Sequence, residues 1–306
     1  MADTSPSSAP SKAIVFARRS GSTVVLWAMV AAVFASRWSW AYLGLVGGLT
    51  LCATAEYFRM LGAAEVRCFP RFGMAVAAGY CGTLCAFLLN GHPPPPDLDG
   101  LAVFIALAGA FALQLRRPLR GMECLQAVAA NLLGFVYIAL LFNFTTRVIF
   151  LDPAWKEAPW QVSGHGAMLL LWLVAVTKFT DMGAYLTGSM IGRHKMIPHV
   201  SPGKTWEGFG GALVFSQLAG CGLFAAFPHE LSVLHSWGHV IALGFLLAVL
   251  AVIGDLAESV LKRALNAKDS GRMLPGIGGA MDLIDSLCFT APALYFYLKW
   301  LPLPTA

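Results

Sequence analysis

Nine apolar stretches, at about residues 22–36, 38–58, 73–90, 100–115, 124–146, 166–190, 207–227, 238–261 and 280–299, follow one another along the 306-residue chain. Each bilayer crossing takes roughly 20 helical residues, and backbone polar groups in lipid must be satisfied within the segment. The stretches therefore predict membrane helices, the first and fourth being the shortest. Only 12% of residues are charged and the mean hydropathy is +0.68, whereas about a quarter of a soluble domain is charged. The chain reads as an all-α polytopic membrane protein with about nine transmembrane helices and no room for a large soluble domain.

The basic residues give an independent test of that count, because short cytoplasmic loops are enriched in Lys and Arg. With the N-terminus placed inside, the cytoplasmic segments hold Lys12, Arg18 and Arg19; Arg59, Arg67 and Arg71; Arg116, Arg117 and Arg120; Arg193, Lys195 and Lys204; and Lys262, Arg263, Lys268 and Arg272. The opposite face holds Arg37, Arg147, Lys156 and Lys299, and Lys178 falls inside a span. This alternation predicts a cytoplasmic N-terminus and an external C-terminus. It also assigns the formal charge of +5 to loops and lipid headgroups, and no nucleic-acid signature is present.

Residues 1–20 begin with a Ser/Pro/Ala-rich run and read as a disordered cytoplasmic tail. The basic pair Arg18–Arg19 and the short apolar run after it have the outline of a signal peptide, but the many later spans favour an uncleaved first helix. The seven cysteines lack zinc spacing and read as small core residues.

Charged residues inside spans are costly and mark candidate sites. Apart from Glu56, they fall in the last 130 residues or so. Asp255, Glu258, Ser259 and Lys262 follow an i, i+3, i+4, i+7 pattern, one stripe at the predicted cytoplasmic end of an apolar helix. Asp282 and Asp285 share a face, and Lys178, Asp181 and Tyr185 form a third stripe. The chain thus divides into the tail, N-terminal transmembrane helices over 21–160, and a candidate catalytic transmembrane region over 161–306.

Lys178 with Asp181 reads equally well as a structural ion pair. Two carboxylates on one face, by contrast, repel unless a cation lies between them, and clustered carboxylates suit Mg²⁺, which takes oxygen ligands and shares its shell with substrate phosphate. Asp255, Asp282 and Asp285 are the expected ligands. "LPGIGG" (274–279) brings flexible backbone to the start of the last helix, where free N–H groups favour an anion, and Lys262, Arg263, Lys268 and Arg272 precede it. A second basic, glycine-bearing loop spans 192–208. Either loop alone is as readily a headgroup-binding connector. Together with the acids they are the components of phosphoryl or nucleotidyl transfer.

These residues resemble a family, the phosphatidate cytidylyltransferases or CDP-diacylglycerol synthases. The signature S-x-aliphatic-K-R-x4-K-D-x-small-x2-aliphatic-P-x-H-G-G-aliphatic-x-D-R-aliphatic-D is met by Ser259, Lys262, Arg263, Lys268, Asp269, Gly271, Leu274, Pro275, Gly278, Gly279, Asp282, Ile284 and Asp285. "TDMGAYLTGSMIGRHK" (180–195) and "SPGKTWEG" (201–208) resemble the family's upstream segments, and "EYFRM" (56–60) is a faint further likeness. The resemblance covers roughly 175–290. The chain departs from it at Ile277 and Leu283, where the family has His and Arg, and at the small Ala280.

The resemblance implies transfer of a cytidylyl group from CTP to phosphatidic acid, giving CDP-diacylglycerol and pyrophosphate. It implies catalytic roles for Asp255, Lys262, Lys268, Asp282 and Asp285. Substrate or phosphate contacts are implied for Asp181, Ser201, Lys204, Thr205, Glu207, Ser259, Arg263, Asp269, Gly278 and Gly279. The expected cofactor is Mg²⁺, with a second cation allowed. The expected partners are CTP, phosphatidic acid in the membrane and a second copy of the chain in a homodimer. The expected place is the bacterial inner (cell) membrane, with the active site at the cytoplasmic ends of the C-terminal helices. The nearest alternatives are a related CTP-dependent lipid enzyme, acting on another lipid phosphate or as a polyprenol-type kinase, and more distantly an ion-coupled transporter.

Overall fold

A computed structural model describes residues 28–267, 270–271 and 278–300. Residues 28–36 are helical, and eight further predicted stretches appear as α1 (Ser39–Ala63), α2 (Pro70–Leu89), α3 (Leu98–Gln114), α4 (Met122–Ile149), α5 (Gly164–Ile191), α6 (Trp206–Ala226), α7 (Trp237–Ala264), and the pair α8 (Ala280–Ile284) and α9 (Leu287–Trp300). Among the described residues, α2, α4, α5, α6 and α7 are long and apolar enough to cross a membrane, and α3 is a shorter apolar helix. The protein is a mostly helical membrane protein.

One expectation needs correction. The stretch 280–299 is not one helix: it breaks after Ile284, and Asp285 and Ser286 lie at the break. The 192–208 loop folds into a small antiparallel hairpin of β1 (Lys195–Ile197) and β2 (Ser201–Thr205), a minor sheet consistent with an all-α membrane protein. Thr205 ends the hairpin and caps α6, its hydroxyl accepting the Gly208 N–H at 3.1 Å, one of the donors a helix start leaves unsatisfied.

The α5–α6 pair is the most intimate in the bundle. Gly183 on α5 lies against the backbone of Gly211 on α6, small residues of the kind that let membrane helices approach closely. α7 packs against α5, α6 and α9, and α8 against α1. The core is centred on Trp172, Tyr57, Leu173, Leu243 and Leu247, all buried. All seven cysteines are unpaired, with Cys68, Cys81 and Cys288 buried, consistent with their reading as small core residues. The tail 1–20 and residues 22–27 of the first predicted span lie outside the described residues.

Candidate active site

The acids converge where α7, α8 and α9 meet. Gly254 permits this, because a Cβ there would lie 2.8 Å from the Asp285 carbonyl oxygen and 2.9 Å from the Ser286 Cα. With only hydrogen at this position, α7 closes onto the break between α8 and α9. Asp255, Glu258 and Asp285 then present carboxylate oxygens that all lie within 4.8 Å of one another. Glu258 is 2% and Asp285 6% exposed. Asp285 Oδ1 accepts the Ser286 N–H at 2.6 Å, while Glu258 Oε1 is buried with no hydrogen-bond partner among the described residues.

A buried carboxylate oxygen without a donor is costly unless something positive meets it. Lys204 and Lys262 meet Asp255 and Glu258, and the carboxylate charge they leave, three groups this close together, favours a further cation. The residues therefore fit a divalent cation held through hard oxygen ligands. The grouping differs from the expected trio in one member: Glu258 takes the place given to Asp282. Asp282 lies beside this group, sharing the Lys262 ammonium with Glu258. Its Oδ1 lies 2.6 Å from Lys262 Nζ, and its Oδ2 accepts the Gly279 N–H at 2.9 Å. Gly278, at φ +119°, carries the chain through this approach. Lys262 reaches Glu258 as well, at 2.8 Å.

A cavity of about 470 Å³ opens beside the acids between α5, α6, α7 and the hairpin, lined by Asp181, Tyr185, Ser201, Lys204, Thr205 and Asp255. Lys204 Nζ pairs with Asp255 Oδ2, placing one cation between the cavity and the acid cluster. Lys178 pairs with Asp181 at 3.6 Å, the structural reading weighed from the sequence. The cavity and the cluster therefore share Asp255.

Other predicted residues support this arrangement from outside the cavity. Glu207 accepts the backbone N–H of Arg193 at 3.1 Å and meets His194 Nδ1 at 2.6 Å, tying the hairpin's base to α6. Arg263 Nε donates to the Val200 carbonyl at 3.3 Å, tying the end of α7 to the hairpin turn. Ser259 is half-buried on the α7 stripe. Lys268, Asp269 and Ile277 lie outside the described residues.

Two residues contribute more than the sequence reading assigned them. Glu258 was visible in the α7 stripe but was not selected as a ligand. Glu56 on α1 is wholly buried and accepts the Met281 N–H at 3.1 Å. Gly271 and Gly279 both lie against its carboxylate, so α1 braces the segment that delivers Asp282. The available signal was a lone acid in a distant span.

Buried carboxylates adjoin a lysine-bearing cavity at one end of this helical bundle, and the comparisons give the family. The chain matches the cytidylyltransferase family over residues 17–301, and it belongs to that family. It is similar to YnbB of Escherichia coli K12, at 33% identity over 200 residues, covering 65% of this chain and 63% of that protein. It is 34% identical over 166 residues to the phosphatidate cytidylyltransferase of Bacillus subtilis, covering 54% and 56% of the two chains. The enzyme of that name from Haemophilus influenzae is 37% identical over 169 residues, covering 52% and 57%. The matched region thus spans less than two thirds of each of these relatives.

Proposed function

We propose that this protein is a nucleotidyltransferase that moves the cytidylyl group of CTP onto phosphatidic acid, releasing pyrophosphate and leaving CDP-diacylglycerol in the membrane. The observation that carries the reading is the shared position of Asp255. It belongs both to the acid cluster of Asp255, Glu258 and Asp285 and to the wall of the cavity bearing Lys204. The two relatives named as phosphatidate cytidylyltransferases support the choice of substrates.

In this reading an oxygen of the lipid phosphate attacks the α-phosphorus of CTP. A new P–O bond forms, the bond to the β-phosphate bridging oxygen breaks, and pyrophosphate leaves. An ionised phosphate monoester is already a nucleophile, so alignment and charge neutralisation carry the rate. Asp255, Glu258 and Asp285 would hold Mg²⁺, which would supply charge neutralisation at the phosphates, and a second cation is allowed. Lys204 exchanges its carboxylate partner for a CTP phosphate. Lys262 holds Glu258 and Asp282 in place, while Ser201, Thr205 and Asp181 shape the nucleotide's side of the cavity. No imidazole is required at Ile277.

The reading includes nine membrane crossings with the N-terminus in the cytoplasm and the acids at the cytoplasmic face of a bacterial inner membrane, where cytosolic CTP meets the lipid phosphate. It also includes a homodimer. Purified protein in detergent with phosphatidic acid, CTP and Mg²⁺ should release pyrophosphate in proportion to lipid. Release that requires no lipid, or no release at all, contradicts it.

A further inference from the structure

At the end of the bundle remote from the acids, the structure contains a second cavity, of about 320 Å³, with Arg147, Lys156 and Lys299 in its lining. Lys299 lies on α9 fourteen residues beyond Asp285, which at about 1.5 Å per residue separates them by roughly 20 Å. These are three of the four basic residues that the sequence assigns to that face. Loop segments and helix ends from distant parts of the chain bring them together.

Among the described residues their charge is only partly compensated. Arg147 Nη2 pairs with Asp99 at 2.6 Å, and Asp99 also accepts the Tyr80 hydroxyl at 2.8 Å. Arg147 Nε is nevertheless buried without a hydrogen-bond partner among the described residues. Lys299 Nζ lies 5.6 Å from the Tyr295 ring centroid, and neither it nor the exposed Lys156 has an ion-pair partner among the described residues. A buried guanidinium N–H without an acceptor is costly, and guanidinium and ammonium groups converging on one space suit a phosphate. The other walls are apolar: Leu88, Phe150, the buried Trp155 and a stiff proline run, Pro93, Pro94 and Pro96.

The surroundings locate this cavity at a lipid headgroup plane. Trp38 and Trp40 at the start of α1, Trp237 at the start of α7 and Trp300 at the end of α9 are all at least half exposed. Trp160 is also exposed and sits beside Trp38, the Ser39 N–H donating to its carbonyl at 2.9 Å. Tryptophans gathered at one end of a helical bundle mark the membrane–water interface. A cavity at that level, cationic on one side and apolar on the other, suits an amphiphile with an anionic head.

We propose that Arg147, Lys156 and Lys299 form a binding site for the phosphate of an anionic phospholipid, on the membrane face opposite the acid cluster and independent of the nucleotide cavity. The test uses the full chain in neutral detergent, with its melting temperature followed during titration with phosphatidylglycerol. The comparison protein is Lys156→Gln with Lys299→Gln, two exposed positions whose unliganded melting temperature should equal wild type. Wild type should be stabilised saturably, and the double variant should need at least about tenfold more lipid for the same shift, as expected for two lost charge-assisted contacts. An unchanged lipid requirement in the variant would overturn the proposal. So would stabilisation by phosphatidylcholine or inorganic phosphate that matches phosphatidylglycerol.

Discussion

The Nζ of Lys262 lies 2.6 Å from Oδ1 of Asp282, twenty residues further along the chain, and this contact joins the end of α7 to α8. The same nitrogen reaches Glu258 at 2.8 Å. One cation therefore holds a member of the acid cluster and the aspartate beside it. Lys262→Met leaves both carboxylates without their counter-charge. It should lower stability by about 2 kcal/mol, less than a fully buried pair because Asp282 is partly exposed. Thermal unfolding in detergent checks this, and an unchanged melting temperature would refute the bracing role.

Asp285 and Asp282 should differ in kind. Asp285→Asn removes a carboxylate from the cluster and should cut turnover by at least about a hundredfold, since a lost metal contact removes several kcal/mol of transition-state stabilisation. It should also raise the Mg²⁺ concentration needed for half-maximal rate. Asp282→Asn should lower the melting temperature with little effect on that Mg²⁺ requirement. Titrations of Mg²⁺ against rate for both variants decide it, and an equal shift in the two would restore Asp282 to the ligand set.

Gly254 makes the site possible by being small. Gly254→Val places a side chain against the backbone of Asp285 and Ser286, where no flexible group can move aside, and overpacking of this kind costs about 1–3 kcal/mol. Gly222→Val on α6 faces open space and serves as the control. The expected result is lost activity and a lower melting temperature for the first variant alone. Full activity in Gly254→Val would mean that the close approach of α7 is unnecessary.

Lys204→Met frees Asp255 from its ion pair and removes the cation between cavity and cluster. The expectation is a rise in KM for CTP of about tenfold or more, from loss of one charge-assisted phosphate contact, with the melting temperature within a few degrees of wild type. Steady-state kinetics check this. An unchanged KM would reduce Lys204 to an anchor for the hairpin.

Much of the architecture was legible because apolar length is a strong signal in lipid, where backbone groups have no water to turn to. The α7 stripe was equally readable: helical periodicity alone put Asp255, Glu258 and Lys262 on one face. The break at Asp285 was not, because Leu287, Cys288 and Phe289 resume the apolar run and α7's approach through Gly254 is a tertiary event. Nor was the choice between Glu258 and Asp282. Sequence spacing gives both carboxylates a suitable face, and only the fold shows that Asp282 is already engaged through both oxygens, by Lys262 and by the Gly279 N–H. The hairpin was hidden within a glycine- and proline-bearing loop too short for strand periodicity to register. Glu56 was separated from its partner Met281 by 225 residues, a distance over which a single sequence carries no pairing information.

The fate of the phosphorus atoms of CTP tests the central claim most directly. Purified protein is supplied with Mg²⁺, phosphatidic acid and CTP radiolabelled at either the α- or the γ-phosphorus, and the extracted lipid is counted. The account predicts that label from the α-position enters the lipid, one for each pyrophosphate released, and that label from the γ-position does not. Label retained in the lipid from the γ-position would make the protein a lipid kinase, and label from neither would contradict cytidylyl transfer altogether.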